Sequence, residues 1–135
     1  MKSMYEKERA KSLSHFTFGI SVDCVVFGFD GSDVKVLVIK RGTEPYKDFQ
    51  AIPGDLVHEK EDPIDATKRV LNELTGLKDI YLEQLKAFAG VNRHPLGRVV
   101  TLAYYSLIKI EDYNPKPSSW AIDATWTSIQ DIREM

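Results

Sequence analysis

Two apolar, β-branched segments on either side of a short polar turn constrain the fold of this chain most strongly. The first segment, 20–29, reads ISVDCVVFGF, and the second, 34–39, reads VKVLVI. Between them, positions 30–33 read Asp-Gly-Ser-Asp, a run of residues that favours a reversal of the chain. We therefore predict a β-hairpin over 20–39.

A single helix is predicted among further strands. Residues 62–75 carry apolar side chains at roughly helical spacing, Pro63 suits the first helical position, and Gly76 suits the stop. Asp62 is placed to cap the helix. Strand patterns occur at 49–52, 81–91, 99–110 and 121–129, with loops at 40–48, 92–98 and 113–119. The order of elements predicts an α/β (α+β) fold, a mixed sheet in a sandwich.

Length and composition exclude several classes of protein. The chain has 135 residues, and 18 Lys and Arg against 20 Asp and Glu give a net charge of −2. This length fits one domain, and the charge argues against a chain that mainly wraps nucleic acid. No apolar run reaches the ~20 residues of a membrane span, and no secretory signal begins the sequence. The single cysteine, Cys24, lies in an apolar strand. We expect a buried thiol in a cytoplasmic protein, with no membrane partner.

Charged residues recur at a defined spacing around the predicted helix. Glu61 lies eight residues before Arg69, and Arg69 lies four before Glu73. The Nudix signature is G-x5-E-x7-R-E-U-x-E-E-x-G-U, where U is a bulky aliphatic residue. With its first position at Asp55, six of nine defined positions match, namely Glu61, Arg69, Leu71, Glu73, Gly76 and Leu77. The chain therefore resembles the Nudix superfamily from about residue 16 to 135. The resemblance implies a Nudix-type mixed β-sheet sandwich. The segment that carries the signature, residues 55–77, is called the box below and is expected to form a loop-helix-loop.

The mismatched positions are Asp55, Val70 and Leu74. In Nudix enzymes, the glutamates at the positions of Val70 and Leu74 bind the catalytic divalent metal. Mg²⁺ prefers oxygen ligands, which Val and Leu do not offer. The resemblance therefore implies a degenerate box with no catalytic residue, no metal and no cofactor. A metal held in another way by Asp55, Glu59 and Glu61 is an open alternative.

The matched residues of the box have an architectural role in this interpretation. Glu61, Arg69 and Glu73 are predicted to form an acid–base–acid cluster that holds the loop to the helix, and Gly76 ends the helix. Alternatively, Glu61 is an ordinary loop carboxylate, and Arg69 with Glu73 is an ordinary exposed helix pair.

Two longer segments of the sequence indicate which group within the superfamily the chain resembles. Residues 66–77 read AxKRVLxELTGL, and residues 89–108 read AGVNRHPLGRVVTLAYYSLI. Both are similar to the Nudix-related bacterial transcriptional regulators. In those proteins an N-terminal Nudix-like domain binds an effector such as ADP-ribose or L-arabinose, and a C-terminal winged helix binds DNA. The sugar-sensing branch is similar in having Val and Leu at positions 70 and 74.

This narrower resemblance implies particular partners and domains. We expect a small-molecule effector, a homodimer, and DNA contact only through a winged-helix domain that is absent here. Residues 1–14 are expected to form an N-terminal arm, and residues 15–135 the Nudix-like domain. Because the sequence ends at 133–135 where a last helix should begin, we expect an isolated or truncated effector domain.

The loop 92–98 carries the candidate effector-binding residues. Arg93 and Arg98 flank a His94-Pro95-Leu96-Gly97 segment. Guanidinium groups suit phosphates and sugar hydroxyls, so we predict that Arg93, His94 and Arg98 rim an effector pocket beside the box helix. A solvated turn is the alternative. The three histidines of the chain lack metal-ligand spacing. Trp120 and Trp126 are expected in the core or at an interface.

Three functions from different classes follow from these observations. The first is a non-catalytic domain of a transcriptional regulator that senses a sugar or an ADP-ribose-like metabolite. The second is a divergent Nudix hydrolase that uses Mg²⁺ to cleave a nucleoside diphosphate linked to another moiety. The third is an interaction domain with no small ligand. The two missing carboxylates favour the first over the second.

Overall fold

One mixed sheet with a central strand organises the structure, a computed structural model that describes residues 3, 4, 6, 7, 18–95 and 97–132. The elements in chain order are β1 (Gly19–Phe29), β2 (Val34–Arg41), β3 (Gln50–Ala51), β4 (Gly54–Leu56), α1 (Pro63–Thr75), β5 (Glu83–Phe88), β6 (Val99–Lys109), a 3-10 helix (Ile110–Asp112), β7 (Ala121–Ser128) and α2 (Ile129–Ile132). Within the described ranges, no helix is long and apolar enough to cross a membrane.

Most of the predicted arm cannot be compared with the structure. Of residues 1–14, positions 1, 2, 5 and 8–14 lie outside the described residues, as do 15–17, 96 and 133–135. The arm and the boundary after residue 14 therefore stay predictions.

Strand β1 pairs with three others. Along one edge it runs parallel to β6, from Gly19 opposite Val99 to Phe29 opposite Lys109. Along the other edge it is antiparallel, to β2 near the hairpin and to β4 near its own start. β2 also pairs with β3 and β7, and β6 also pairs with β5. The predicted hairpin and the mixed-sheet α/β class are both confirmed.

The two faces of β1 have different surroundings, because successive side chains of a strand point to opposite faces. Val22, Cys24 and Val26 point into the hydrophobic core, where they join apolar residues of α1. Cys24 is buried, as predicted. Ser21 and Asp23 alternate with these residues and point to the other face. The core therefore occupies one face of β1 and leaves the other available for polar contacts.

Helix α1 has nearly the predicted bounds and ends as predicted. Gly76 adopts φ 75°, in the left-handed region, and its N–H donates to the carbonyl of Asn72. This conformation is easy for glycine, which has no Cβ to clash. The predicted side-chain cap at the start of the helix was wrong. Asp62 makes no side-chain capping hydrogen bond, and the fixed φ of Pro63 begins the helix without it.

Elsewhere the strands differ from prediction in length and number. β4 was not predicted, because its three residues form a strand only by pairing with β1. The predicted strand at 81–91 is shorter, spanning Glu83–Phe88 at the edge of the sheet. The strand predicted at 99–110 ends at Lys109, and Ile110 is the first residue of the 3-10 helix. These differences all lie where pairing partners, rather than local pattern, decide the conformation.

We predict that Gly28→Ala destabilises the domain. A Cβ at Gly28 would lie 2.5 Å from Cζ3 of Trp126 and 2.6 Å from Cγ1 of Ile110. Overpacking of this kind costs about 1–3 kcal/mol. Gly19→Ala in the same strand is the control, because a Cβ there would meet Val99 at an ordinary 3.6 Å. Chemical denaturation of both variants measures the difference, and equal stabilities would contradict the prediction.

Candidate functional site

Arg69 joins the loop before α1 to the helix itself. Its Nη2 donates to Oε1 of Glu61 at 2.7 Å and to the carbonyl of Leu56 at 3.0 Å. Its Nε donates to Oε2 of Glu61 at 3.1 Å, and its Nη1 donates to Oε2 of Glu73 at 3.2 Å. The structure thus brings together the three side chains of the predicted acid–base–acid cluster, and Arg69 also reaches a backbone carbonyl of β4.

The hydrogen bonds of the cluster shift the pKa values of Glu61 and Arg69. The Arg69 guanidinium lowers the pKa of Glu61 to about 2, with help from the backbone N–H of His58. The same interaction with Glu61 raises the pKa of Arg69. Because the pKa of Glu61 is depressed in the folded state, its contribution to stability is present above the ordinary carboxyl pKa. That contribution is lost as pH falls toward 2.

The two positions that lack glutamate are buried. Val70 is 2% exposed and Leu74 is 1% exposed, and both belong to the hydrophobic core. In the part of the chain that the structure describes, no group of three or more His, Cys, Asp or Glu side chains is arranged to hold a metal ion. Since Arg69 already binds Glu61 and Glu73, the residues of this box do not fit a catalytic Mg²⁺.

A cleft of about 620 Å³ opens on the sheet, and none of the helix residues lines it. It is bounded by β1, β3, β4, the loop after β2, the loop before β6 and the start of β7. Its lining residues are Ser21, Asp23, Arg41, Thr43, Pro45, Tyr46, Ala51, Ile52, Gly54, Asp55, Leu56, Arg93, His94, Pro95, Thr101 and Trp120.

Arg93 provides hydrogen-bond donors at one end of this cleft. Its Nη1 donates to Oγ1 of Thr101 at 2.8 Å and to the carbonyl of Val99 at 3.2 Å. The hydroxyls of Thr101 and Ser21 share a hydrogen bond of 2.6 Å beneath it. The Nε and Nη2 groups of Arg93 have no hydrogen-bond partner among residues 18–95 and 97–132. These N–H groups suit an oxyanion.

An aromatic and a cationic side chain stack at the other end. The guanidinium carbon of Arg41 lies 4.5 Å from the ring centroid of Trp120. Nε of Arg41 donates to the carbonyl of Pro45 at 2.7 Å, and the indole N–H of Trp120 donates to Oδ2 of Asp55 at 3.1 Å. These bonds fix both side chains at the wall of the cleft. Trp120 packs against the core, one of the two locations predicted for it, while its contact with Arg41 joins residues far apart in the chain and was not predicted.

The Arg69 cluster contacts one wall of the cleft from outside, and the end of α1 contacts the segment that leads to another. Leu56, whose carbonyl accepts from Arg69, follows Asp55 in β4. At the other end of α1, the backbone N–H of Lys116 donates to the carbonyl of Thr75 at 2.7 Å. The chain from Lys116 then leads to Trp120. The first two box residues, Asp55 and Leu56, therefore line the cleft, although the box helix lies on the opposite face of β1.

Of the three residues predicted to rim an effector pocket, Arg93 and His94 line this cleft and Arg98 does not. Nη2 of Arg98 donates to the carbonyl of Ala89 at 3.1 Å, and its guanidinium lies 5.3 Å from the ring centroid of Phe18. These contacts tie together the two ends of the loop. The effector pocket was predicted beside the box helix, whereas this cleft lies on the face of β1 opposite that helix.

Comparison with protein families and curated sequences gives one family and two informative relatives. The family model for the NUDIX domain matches residues 17–135. The ADPR responsive transcriptional repressor NtrR of Acinetobacter baylyi is 33% identical over 96 residues, 70% of this chain and 38% of the repressor. The ADP-ribose pyrophosphatase of Methanocaldococcus jannaschii is 28% identical over 96 residues, 71% of this chain and 57% of that protein.

A solved structure supports the fold. The NUDIX domain of Shewanella oneidensis NrtR, solved with ADP ribose, superposes with a TM-score of 0.85 at 23% identity. The superposition covers 100% of this chain and 88% of that domain. The chain spans much less of the two curated relatives, 38% and 57% of their lengths.

We predict that Arg69→Ala lowers the thermal stability of the domain. The substitution removes the donor that joins Glu61, Glu73 and the Leu56 carbonyl, and it leaves two carboxylates near each other. We expect Tm to fall by roughly 5 °C or more. The neighbouring exposed Lys68→Ala is the control and should leave Tm within about 2 °C. Equal melting curves for the two variants would show that the cluster does not contribute to the thermal stability of the domain.

We also predict that Leu74→Glu destabilises the domain and is not rescued by metal. The new carboxylate would be buried in the core near the C-terminal end of a helix, where negative charge is unfavourable. The expected cost is about 3 kcal/mol or more. Leu74→Met is the volume-matched control. Recovery of the Leu74→Glu melting temperature in millimolar Mg²⁺ would show a metal site that these residues do not indicate.

Proposed function

The chain belongs to the Nudix family, and on that premise we propose that it binds an ADP-ribose-like metabolite without hydrolysing it, as the effector domain of a transcriptional regulator. One observation carries the proposal. The two box positions that would supply metal-binding carboxylates are Val70 and Leu74, and both side chains are buried in the core.

The chemistry of the cleft supports a nucleoside diphosphate linked to a sugar. Its volume of about 620 Å³ is within the usual range for small-molecule sites. Unpaired N–H groups of Arg93 suit the diphosphate, and His94 lies beside them on the same lip. The Trp120 ring and the exposed Tyr46 ring offer apolar faces for a base.

The two curated relatives share a ligand name but differ in activity. One is described as an ADPR responsive repressor and the other as an ADP-ribose pyrophosphatase. Shared ADP-ribose chemistry favours the same ligand class here. The absence of carboxylates at positions 70 and 74 favours the regulator over the pyrophosphatase.

The regulatory part of the proposal extends beyond this chain. The chain spans 38% of the repressor, so DNA binding would come from a further domain of the same protein. A homodimer is part of the proposal as well, because paired half-sites on DNA are read by paired domains. Ligand binding in the cleft would then alter how the two domains are presented to DNA.

The alternative is a hydrolase, and the pyrophosphatase relative is the observation that favours it. Such an enzyme would have to hold its metal without the two box glutamates, for example through Asp55 and Glu59. Asp55 already accepts from the indole of Trp120, so this route has less support.

We predict that ADP-ribose binds in the cleft and that Arg93→Ala weakens it. Removing a charged donor from a binding site costs about 1.5–3 kcal/mol, roughly a ten- to hundredfold loss of affinity. Isothermal titration calorimetry measures both proteins. Arg98→Ala is the control, since Arg98 points away from the cleft, and its affinity should change less than threefold.

Two further measurements complete this test. Thermal melts of each variant show that it is folded, and L-arabinose is titrated as a second ligand. Equal affinities of the parent and Arg93→Ala would remove Arg93 from the site. No binding of ADP-ribose or L-arabinose below millimolar concentration would overturn the sensing function.

We expect no turnover of ADP-ribose with Mg²⁺ or Mn²⁺, because the box lacks two of its metal-binding carboxylates. Cleavage of the diphosphate would release two phosphate monoesters, which chromatography separates from the substrate. Ordinary enzymes turn over at about 1 s⁻¹ or faster. A rate in that range would establish the hydrolase instead.

A further inference from the structure

Asp23 is a carboxylate on the floor of the cleft. It lies in the middle of β1, opposite Ala103 of β6 and Gly54 of β4. Its Oδ1 occupies the space above Gly54, where the Cβ of any other residue would collide with it. The glycine in β4 therefore leaves room for this carboxylate to point into the cleft.

The Asp23 carboxylate has no hydrogen-bond donor among residues 18–95 and 97–132. The nearby hydroxyls of Ser21 and Thr101 bond to each other, and Nη1 of Arg93 donates to Thr101 and Val99 instead. Arg93 acts on Asp23 only through its charge. Burial raises the pKa of Asp23 to about 6, and the positive charge of Arg93 opposes that rise.

Asp23 is half-buried, and a carboxylate without a protein donor becomes unfavourable once a ligand covers it, unless the ligand itself supplies the donor. The position of Asp23 inside a cleft indicates that the missing donor belongs to a ligand. An anion would be repelled by the carboxylate, so the ligand atoms next to Asp23 must be O–H or N–H groups. Arg93, beside it, offers donors for an oxyanion. A sugar phosphate presents both groups within a few ångströms of each other.

We propose that Asp23 accepts hydrogen bonds from sugar hydroxyls of the ligand, while Arg93 binds the adjoining phosphate. The proposal rests on the proposed function and deepens it, because it assigns the site a requirement for free hydroxyls next to phosphate. The two oxygens of the carboxylate match a vicinal pair of hydroxyls, and each hydroxyl donates one hydrogen bond.

The pair of residues makes binding depend on pH in a defined direction. Hydroxyl donors favour the ionised carboxylate, so affinity is highest above the pKa of free Asp23 and falls as pH drops through it. Between pH 7 and pH 5 the affinity should decrease roughly tenfold. The charged and titratable groups that line the same cleft are Arg41, Tyr46, Asp55, Arg93 and His94.

The experiment compares the parent with Asp23→Asn, using ADP-ribose as the probe. Calorimetry at pH 7 should show affinity at least tenfold weaker in the variant. The parent should lose roughly tenfold between pH 7 and pH 5, and the variant should lose little. Asp65→Asn, on the exposed first turn of α1, is the control for the change in net charge and should bind as the parent does.

Thermal melts without ligand separate a binding role from a structural one. Because Asp23→Asn removes a half-buried charge that burial disfavours, its Tm at pH 7 should be higher than that of the parent. A lower Tm together with weaker binding would show that Asp23 supports the fold, and would overturn the proposal.

A second ligand pair tests the hydroxyls directly. Ribose 5-phosphate and 2-deoxyribose 5-phosphate differ in one hydroxyl, and the parent should bind the first more tightly while Asp23→Asn should not distinguish them. Equal binding of the two sugars by the parent would overturn the proposal. Unchanged ADP-ribose affinity in Asp23→Asn would overturn it and leave the proposed function intact. No binding of ADP-ribose by the parent would overturn both.

Discussion

The hydrogen bonds of one guanidinium group determine how the rest of the site is arranged. Arg69 binds a carboxylate in the loop before α1, a carboxylate one turn further along the helix, and the carbonyl of Leu56 in β4. A planar fork with five N–H groups can hold three such acceptors at fixed angles, which an ammonium group cannot do. Since β4 pairs with β1, the same fork fixes one wall of the cleft on the far side of the sheet.

The two faces of strand β1 make different contacts. Its core face carries Val22, Cys24 and Val26 against α1, and its other face carries Ser21 and Asp23 toward the cleft. Val70 and Leu74 of the helix therefore belong to the core, and the floor of the cleft is built from other residues. The polar groups that line the cleft come from β1, from β6 and from the loops around them, and a surface of this kind can vary without changing the fold.

Local sequence pattern predicted the elements that local forces build. The hairpin, the bounds of α1 and the glycine at its end follow from turn chemistry and periodicity, and the Arg69 cluster follows from the register of the signature. β4 and the Arg41–Trp120–Asp55 contacts depend on segments far apart in the chain, so no local signal could reveal them. Arg93 and Arg98 look equivalent in sequence, but only the fold decides which one faces Thr101. Asp23 had a usable signal, a single carboxylate within a run of apolar strand residues.

The parallel pairing of β1 with β6 has a consequence for how the domain assembles. The Ser21–Thr101 hydrogen bond joins residues 80 positions apart, whereas the hairpin and α1 need only near neighbours. Closing a loop of that length has a larger entropic cost than local contacts, and non-local topology slows folding. During synthesis the helix and the Arg69 fork can form before β6 has left the ribosome, but the floor of the cleft cannot. The floor of the cleft therefore closes only after residue 101 has been made, whereas the contacts of Arg69 with Glu61 and Glu73 join residues no more than eight positions apart.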